Sequence, residues 1–203
     1  WIPPLAGHLL KTQLLEPHWE KKAAEVIALE RATLYGIVIY NNKRVNFGRI
    51  DPAAAREIFI REALVAGYGD IKKRVDPQLP KLFEVLPKAD YEVRAVEPFR
   101  EKSAAGGSYQ AASEDGSRPG IFYANTYDLS ARPKWAMEAL SLHEGNPGHH
   151  FQISIAREQK ELPRFRRFGG YTAYSEGWGL YAESLGPDLG MYADPYQYFG
   201  RLE

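Results

Sequence analysis

The pattern of apolar and polar positions divides the chain in two near Gly67. The opening stretch predicts a helix. Residues 25–50 then become rich in Val, Ile, Thr, Tyr and Phe. Asn41-Asn42 separates two apolar runs there, predicting a hairpin or short meander that turns at the asparagines. Asp51-Pro52 joins an N-cap residue to a proline at the first helical position. Ala55, Ile58, Phe59 and 62–64 carry that helix on to Gly67. Beyond it the pattern predicts short helical pieces at 70–75 and 78–86 and a strand at 91–96. A Gly-, Ser- and Ala-rich loop follows over 101–120, then a strand at 121–127 expected to pair antiparallel with the first. Helices at 133–144, 149–160 and 172–185 come next, the last ended by Gly186-Pro187. The run from Tyr196 reads as one more helix just starting. The fold class is therefore α+β, mainly α.

Composition narrows the partners. The chain has 203 residues, with 26 Lys plus Arg against 26 Asp plus Glu, so no net field favours nucleic acid or an acidic membrane. It has no cysteine, which excludes disulfides, thiolate metal sites and cysteine nucleophiles. No apolar run reaches the ~18 residues of a membrane span. Trp1-Ile2-Pro3-Pro4 and the helix starting at Tyr196 both read as cut ends, so the absence of a signal peptide carries no weight.

The chemistry concentrates in His143-Glu144-Gly145-Asn146-Pro147-Gly148-His149-His150. On the helix from Pro133, Ala136, Ala139, Leu140 and His143 share one face, which points His143 to the interior. A histidine there is more often a core residue than a ligand, but Glu144 and two further histidines change the odds. Zinc peptidases commonly space two histidines four residues apart with a glutamate general base between them. Here the spacing is six or seven, a rise of roughly 9 to 10.5 Å on a straight helix, too far for one zinc. Pro147 lacks the N–H that would bond the His143 carbonyl, and Gly145 and Gly148 relax the backbone. The helix is thus expected to break after Glu144 and bring a later histidine back. A third ligand is expected from the helix around Tyr174-Ser175-Glu176-Gly177-Trp178-Gly179-Leu180-Tyr181-Ala182-Glu183, where Glu176 and Glu183 lie two turns apart on one face. Zinc would activate water, Glu144 would accept its proton and pass it to the leaving amine, and a donor would hold the oxyanion. Tyr174, Tyr181, Tyr123 and the arginines of 164–167 are the candidates for that donor. The expected catalytic set is Glu144 with Tyr174 and Tyr181.

Residues 118–152 (RPGIFYANTYDLSARPKWAMEALSLHEGNPGHHFQ), 164–186 (RFRRFGGYTAYSEGWGLYAESLG) and 194–202 (DPYQYFGRL) resemble the DUF885 family of bacterial proteins, which look like zincin-type metallopeptidases. The resemblance maps an HExxPGH pattern onto His143, Glu144, Pro147, Gly148 and His149, and an EGW-x-LYAE pattern onto 176–183. It implies a Zn2+ held by His143, His149 and Glu176, rather than His150 or Glu183, and a peptide or small amide as substrate. Gly179 departs from the alanine expected there, which should loosen the helix slightly. The first part (WIPPLAGHLLK, EPHWEKKAAEVIALERATLYGIVIY, RVNFGRIDPAAAREIFIREALVAG) resembles the OB-fold region of bacterial DEAH-box RNA helicases, without any motor motif. The two resemblances imply an OB-fold-like segment over 1–67 and a shortened zincin-like metallopeptidase segment over 68–203. OB-folds bind single strands through basic grooves and stacking aromatics. Tyr35, Tyr40, Lys43, Arg44, Phe47 and Arg49 are the candidates, although the basic excess is slight. The peptidase resemblance implies a periplasmic or secreted setting, and the helicase resemblance a cytoplasmic one.

Overall fold

The computed structural model describes residues 7–20, 22, 23 and 25–203. Contacts group the chain into two compact units, Trp1–Ala63 and Leu64–Glu203. The fold is mixed α+β, with one three-stranded sheet in each unit.

The first unit is a meander of β1 (Lys11–Glu20), β2 (Glu25–Leu34) and β3 (Ile37–Asn46), antiparallel throughout. Strand β1 occupies part of the stretch expected to open as a helix; residues 1–6 of that stretch lie outside the described residues. Pro17 would interrupt a helix. In the strand, the register shifts between Leu15 and His18 around it, and Glu16 adopts φ 50°. The expected turn at Asn41-Asn42 is also displaced. The hairpin turns at Tyr35 and Gly36, with φ 49° and 86°, the paired positive φ values of a two-residue turn. Asn41 and Asn42 instead face the single residue Arg31 across the ladder and form a bulge, with Asn42 at φ 56°. The asparagines signal an unusual backbone, but a bulge uses it as well as a turn does. Val26, Ala28, Phe47 and Ala55 make the small core of this unit.

Helix α1 (Pro52–Val75) starts as expected, with Asp51 Oδ1 accepting from the Ala54 N–H at 3.0 Å. It does not stop at Gly67. It runs through Gly67 and Gly69 and absorbs the piece expected at 70–75. Two helical glycines cost about 1 kcal/mol each, but Tyr68, Ile71 and Val75 on the continuing helix are buried in the core of the second unit, and burying each is worth about 1.5–3 kcal/mol. The helix expected at 78–86 is only a 3-10 turn, Asp76–Lys81, held to that length by Pro77 and Pro80.

The second unit holds β4 (Tyr91–Ala95), β5 (Gly107–Gln110) and β6 (Gly120–Ala124) in the order β4-β6-β5. The loop expected over 101–120 contains β5. This strand pairs antiparallel with β6, while β4 takes the other edge of β6 in parallel, not antiparallel as expected. Because β5 forms the hairpin with β6, β4 is joined to it only through a crossover, which permits the parallel direction. Every residue of β6 is buried. Phe122 and Ala124 face the core with Tyr68, Ile71, Val75, Ala139 and Leu142, whereas Ile121 and Tyr123 face the other side with Val96. The remaining helices are α2 (Met137–Glu144), α3 (His149–Glu158), α4 (Arg164–Phe168), α5 (Thr172–Ser184) and α6 (Pro195–Leu202). Among the described residues no helix is long and apolar enough to cross a membrane.

Candidate metal centre

Helix α2 ends at Glu144 and α3 begins at His149, so the break expected from Pro147 lies between the two histidines. The chain folds back tightly there. A Cβ on Gly148 would stand 1.9 Å from the His143 carbonyl oxygen and 2.3 Å from that of Leu142, so only glycine lets α3 start against the end of α2. The Asn146–Pro147 peptide is cis. Trp178 of α5 donates its Nε1–H to the Pro147 carbonyl at 2.8 Å, and Asn146 Nδ2 donates to Asp76 Oδ1 at 2.9 Å. Asp76 is paired with Lys72 of α1 at 2.7 Å. The break is therefore tied on both sides.

The fold-back brings the rings of His143 and His149 to a centroid separation of 4.7 Å, nearly perpendicular at 86°. Glu176 of α5 closes the group. Its Oε2 lies 3.3 Å from His143 Nε2 and its Oε1 lies 3.6 Å from His149 Nε2. One ligand atom from each of the three residues falls within 4.8 Å of the others. Ligands at zinc–ligand distances of ~2.0–2.1 Å in a tetrahedron stand about 3.4 Å apart, close to both measured separations. His143, His149 and Glu176 thus form a group that can hold a metal ion, with the His-His-carboxylate donor set that leaves a fourth position open.

Glu183 takes the opposite side of the same ring. His143 Nδ1 stands 2.7 Å from Glu183 Oε1; an Nδ1–H donated there presents the Nε2 lone pair on the Glu176 side, where a metal ion would bind. Sequence spacing puts Glu176 and Glu183 on one helix face as rivals, whereas the structure sets one against each nitrogen of His143. Gly179 sits between them. A Cβ there would lie 2.6 Å from His143 Cε1 and Nε2, so the departure from alanine leaves room for the imidazole. That close approach is a positional role, beyond the loosening expected from helix propensity.

His150 points elsewhere. It is 1% exposed, with its ring 4.5 Å from that of Tyr91 and 5.4 Å from that of Tyr109, and Nδ1 2.9 Å from the Tyr109 hydroxyl. Burial pushes its imidazole down to about 4, so it stays neutral.

Glu144 is buried beside the group, and its Oε2 has no hydrogen-bond partner among the described residues. Burial pushes its carboxyl up to about 7; the neighbouring His143 opposes the rise and the Glu176 charge adds to it. The hydrogen bond to Glu183 raises the His143 pKa against the effect of burial, while burial and the nearby His143 lower that of His149. The expected interior face of α2 is in part a cleft wall. Ala136, Ala139, Leu140, His143 and Glu144 line a cleft of about 530 Å³ with Leu180 and Glu183, while Leu142 and Ala139 supply the core contact.

The expected oxyanion donors separate by position. Tyr174 and Tyr181 are exposed on α5, 67% and 51%, and Tyr181 packs against the Trp178 ring at 5.5 Å. Tyr123 faces the side of the sheet away from α2. Arg164 is paired with Glu114 at 2.8 Å, and Arg167 donates to the Arg157 carbonyl at 3.2 Å. Sequence reasoning missed Trp178 as the tie to Pro147 and Glu183 as the tie to His143. The first had a legible signal, because a half-buried indole N–H needs an acceptor.

Comparison with known proteins agrees with this picture in two parts. A segment of 67 residues is 49% identical to the ATP-dependent RNA helicase HrpA of Escherichia coli (strain K12), covering 33% of this chain and 5% of the helicase. A segment of 94 residues is 40% identical to its homologue from Haemophilus influenzae, covering 46% of this chain and 7% of that protein. The chain thus spans a small fraction of the helicases it matches. The crystal structure of a candidate lipoprotein from Colwellia psychrerythraea superposes with a TM-score of 0.68 at 40% identity, covering 70% of this chain and 24% of that one. The family model described as bacterial protein of unknown function (DUF885) matches residues 40–203, starting within β3 and ahead of the motifs that carried the resemblance. The chain belongs to the DUF885 family.

Proposed function

We propose that this chain carries the metal centre of a zinc-dependent hydrolase that cleaves peptide or small amide bonds. The observation that carries the reading is the convergence of His143, His149 and Glu176 within 4.8 Å, beside a buried Glu144. When bound, zinc supplies Lewis acidity and brings the pKa of a coordinated water towards neutrality. The protein's own residues do the rest. Glu183 holds His143 in the tautomer that presents Nε2. The Glu144 carboxylate receives a proton from water and returns it to the leaving amine, a task suited to a carboxyl whose pKa lies close to neutral. Tyr174 and Tyr181, exposed on α5, are assigned as hydroxyl donors to the developing oxyanion. The description of the Colwellia psychrerythraea relative as a candidate lipoprotein supports a periplasmic or secreted setting.

Glu144→Gln tests the general-base assignment. Hydrolysis of a peptide library by the zinc-loaded chain should fall by about 10²–10⁴-fold while zinc stays bound. Unchanged hydrolysis would remove Glu144 from the reaction.

The similarity to HrpA supports a second reading, single-strand binding by an OB-like module in the first unit. The surface counts against it. Lys43 is paired with Glu30 at 2.9 Å, Arg44 with Glu20 at 2.5 Å, and Phe47 is buried in the core. A shift of single-stranded RNA that weakens steeply with salt would support this reading.

A further inference from the structure

A second cavity, of about 520 Å³, lies along α3. It is lined by Ala111–Glu114, Ser154, Arg157, Lys160, Arg167 and Phe168 among others, and by none of the metal-binding residues. Cations outnumber carboxylates in its lining, Arg157, Lys160 and Arg167 against Glu114 and Glu158. Three guanidinium groups gather on the Phe168 ring, those of Arg157, Arg164 and Arg167 at 5.1, 4.8 and 5.1 Å from its centroid. The carboxylates at the cavity are already engaged. Glu114 is paired with Arg164 at 2.8 Å, and Glu158 accepts the backbone N–H groups of Lys88 and Ala89 at 2.8 and 3.2 Å. Arg157 and Arg167 have no carboxylate partner among the described residues. Each spends one N–H on a backbone carbonyl, Arg157 on Ala112 at 2.7 Å and Arg167 on Arg157 at 3.2 Å. The Nε of each is buried without a hydrogen-bond partner.

Capping carbonyls would account for one donor on each arginine. Cation–π attraction to the Phe168 ring offsets part of the repulsion among the three cations, but neither contact satisfies the buried Nε donors. Buried donors left unpaired cost about 1–3 kcal/mol each, and a guanidinium offers a planar fork matched to the two oxygens of a carboxylate or phosphate. We propose that this cavity is an oxyanion-binding site, with Arg157 and Arg167 as the principal contacts and Lys160 at the rim. The ligand chemistry is a carboxylate or phosphate group on a molecule small enough for the cavity. The site is independent of the metal centre.

Calorimetric titration of the whole chain at fixed ionic strength, with inorganic phosphate in one arm and acetate in the other, tests this. Saturable binding of either anion is expected, and the arm that binds more tightly identifies the group. Arg167→Gln should weaken binding by at least about tenfold, from the loss of one charge-assisted contact. Lys160→Gln, on an exposed residue, should weaken it by less. Glu114→Gln should tighten it, by releasing Arg164 and removing a negative charge from the wall. Binding unchanged in Glu176→Gln would place the anion away from the metal group. No saturable binding in either arm, or equal affinity in the wild type and a folded Arg167→Gln variant, would overturn the proposal.

Discussion

His143 faces a carboxylate at each nitrogen, Glu176 at Nε2 and Glu183 at Nδ1. The two carboxylates are expected to respond differently to substitution. Glu176→Gln removes a charged ligand and should abolish stoichiometric zinc. Glu183→Gln leaves the ligand set intact but weakens the hold on the ring, and should lower zinc affinity by about 10–100-fold, read in competition with a chelator. Equal losses in the two variants would mean that Glu183 is itself a ligand. His150 makes a separate point about stability. Its imidazole is held down to about 4 by burial, whereas in the unfolded chain it titrates near 6.5. The unfolded state therefore binds more protons between these values. The contribution is complete above about pH 6.5 and is lost progressively as pH falls towards 4, by up to roughly 3 kcal/mol. Denaturant midpoints should fall over that window in the wild type. A His150→Gln variant, less stable at neutral pH through loss of its packing, should show a flatter profile. Parallel profiles would assign the acid sensitivity to other groups.

At the scale of elements, the site depends on how α2 hands over to α3. The motif made the break legible, since a proline three residues after Glu144 cannot continue the helix. The choice between His149 and His150 was not legible from spacing alone. Adjacent residues on a helix point about 100° apart, and only the packing of Tyr91 and Tyr109 around His150 shows which one faces inward. Likewise Glu176 and Glu183 share a face, and the position of His143 between them decides their roles. Gly148 gives the direct test of the handover. An alanine there would place its Cβ against the His143 carbonyl at 1.9 Å, forcing the two helices apart. Gly148→Ala should cost several kcal/mol in stability, beyond the ~1 kcal/mol typical of a point substitution, and should lose zinc together with the fold-back. A variant of wild-type stability with intact metal binding would show that the close approach is dispensable.

At the scale of the molecule, periodicity anticipated the three longer α-helices that follow the sheet of the second unit, but not the short α4 (Arg164–Phe168). Those at 133–144, 149–160 and 172–185 match α2, α3 and α5 to within a few residues at each end. It failed where tertiary contacts overrode local signals. Helix α1 crosses Gly67 because its far half is buried, and β5 hides in a Gly-rich stretch because its partner β6, not its own composition, makes it a strand. The sequence pattern changes near Gly67, whereas the DUF885 match begins at residue 40. Contacts divide the chain at Ala63 and Leu64, inside α1. The candidate metal group and the cationic cavity both lie in the second unit.

The most direct measurement is elemental analysis of the purified chain after dialysis against zinc, with Glu176→Gln and His149→Ala variants in parallel. One zinc per wild-type chain, lost in both folded variants, is the expected result. A wild-type chain that holds no zinc, or folded variants that hold as much as the wild type, would contradict the assignment of His143, His149 and Glu176 as a metal centre.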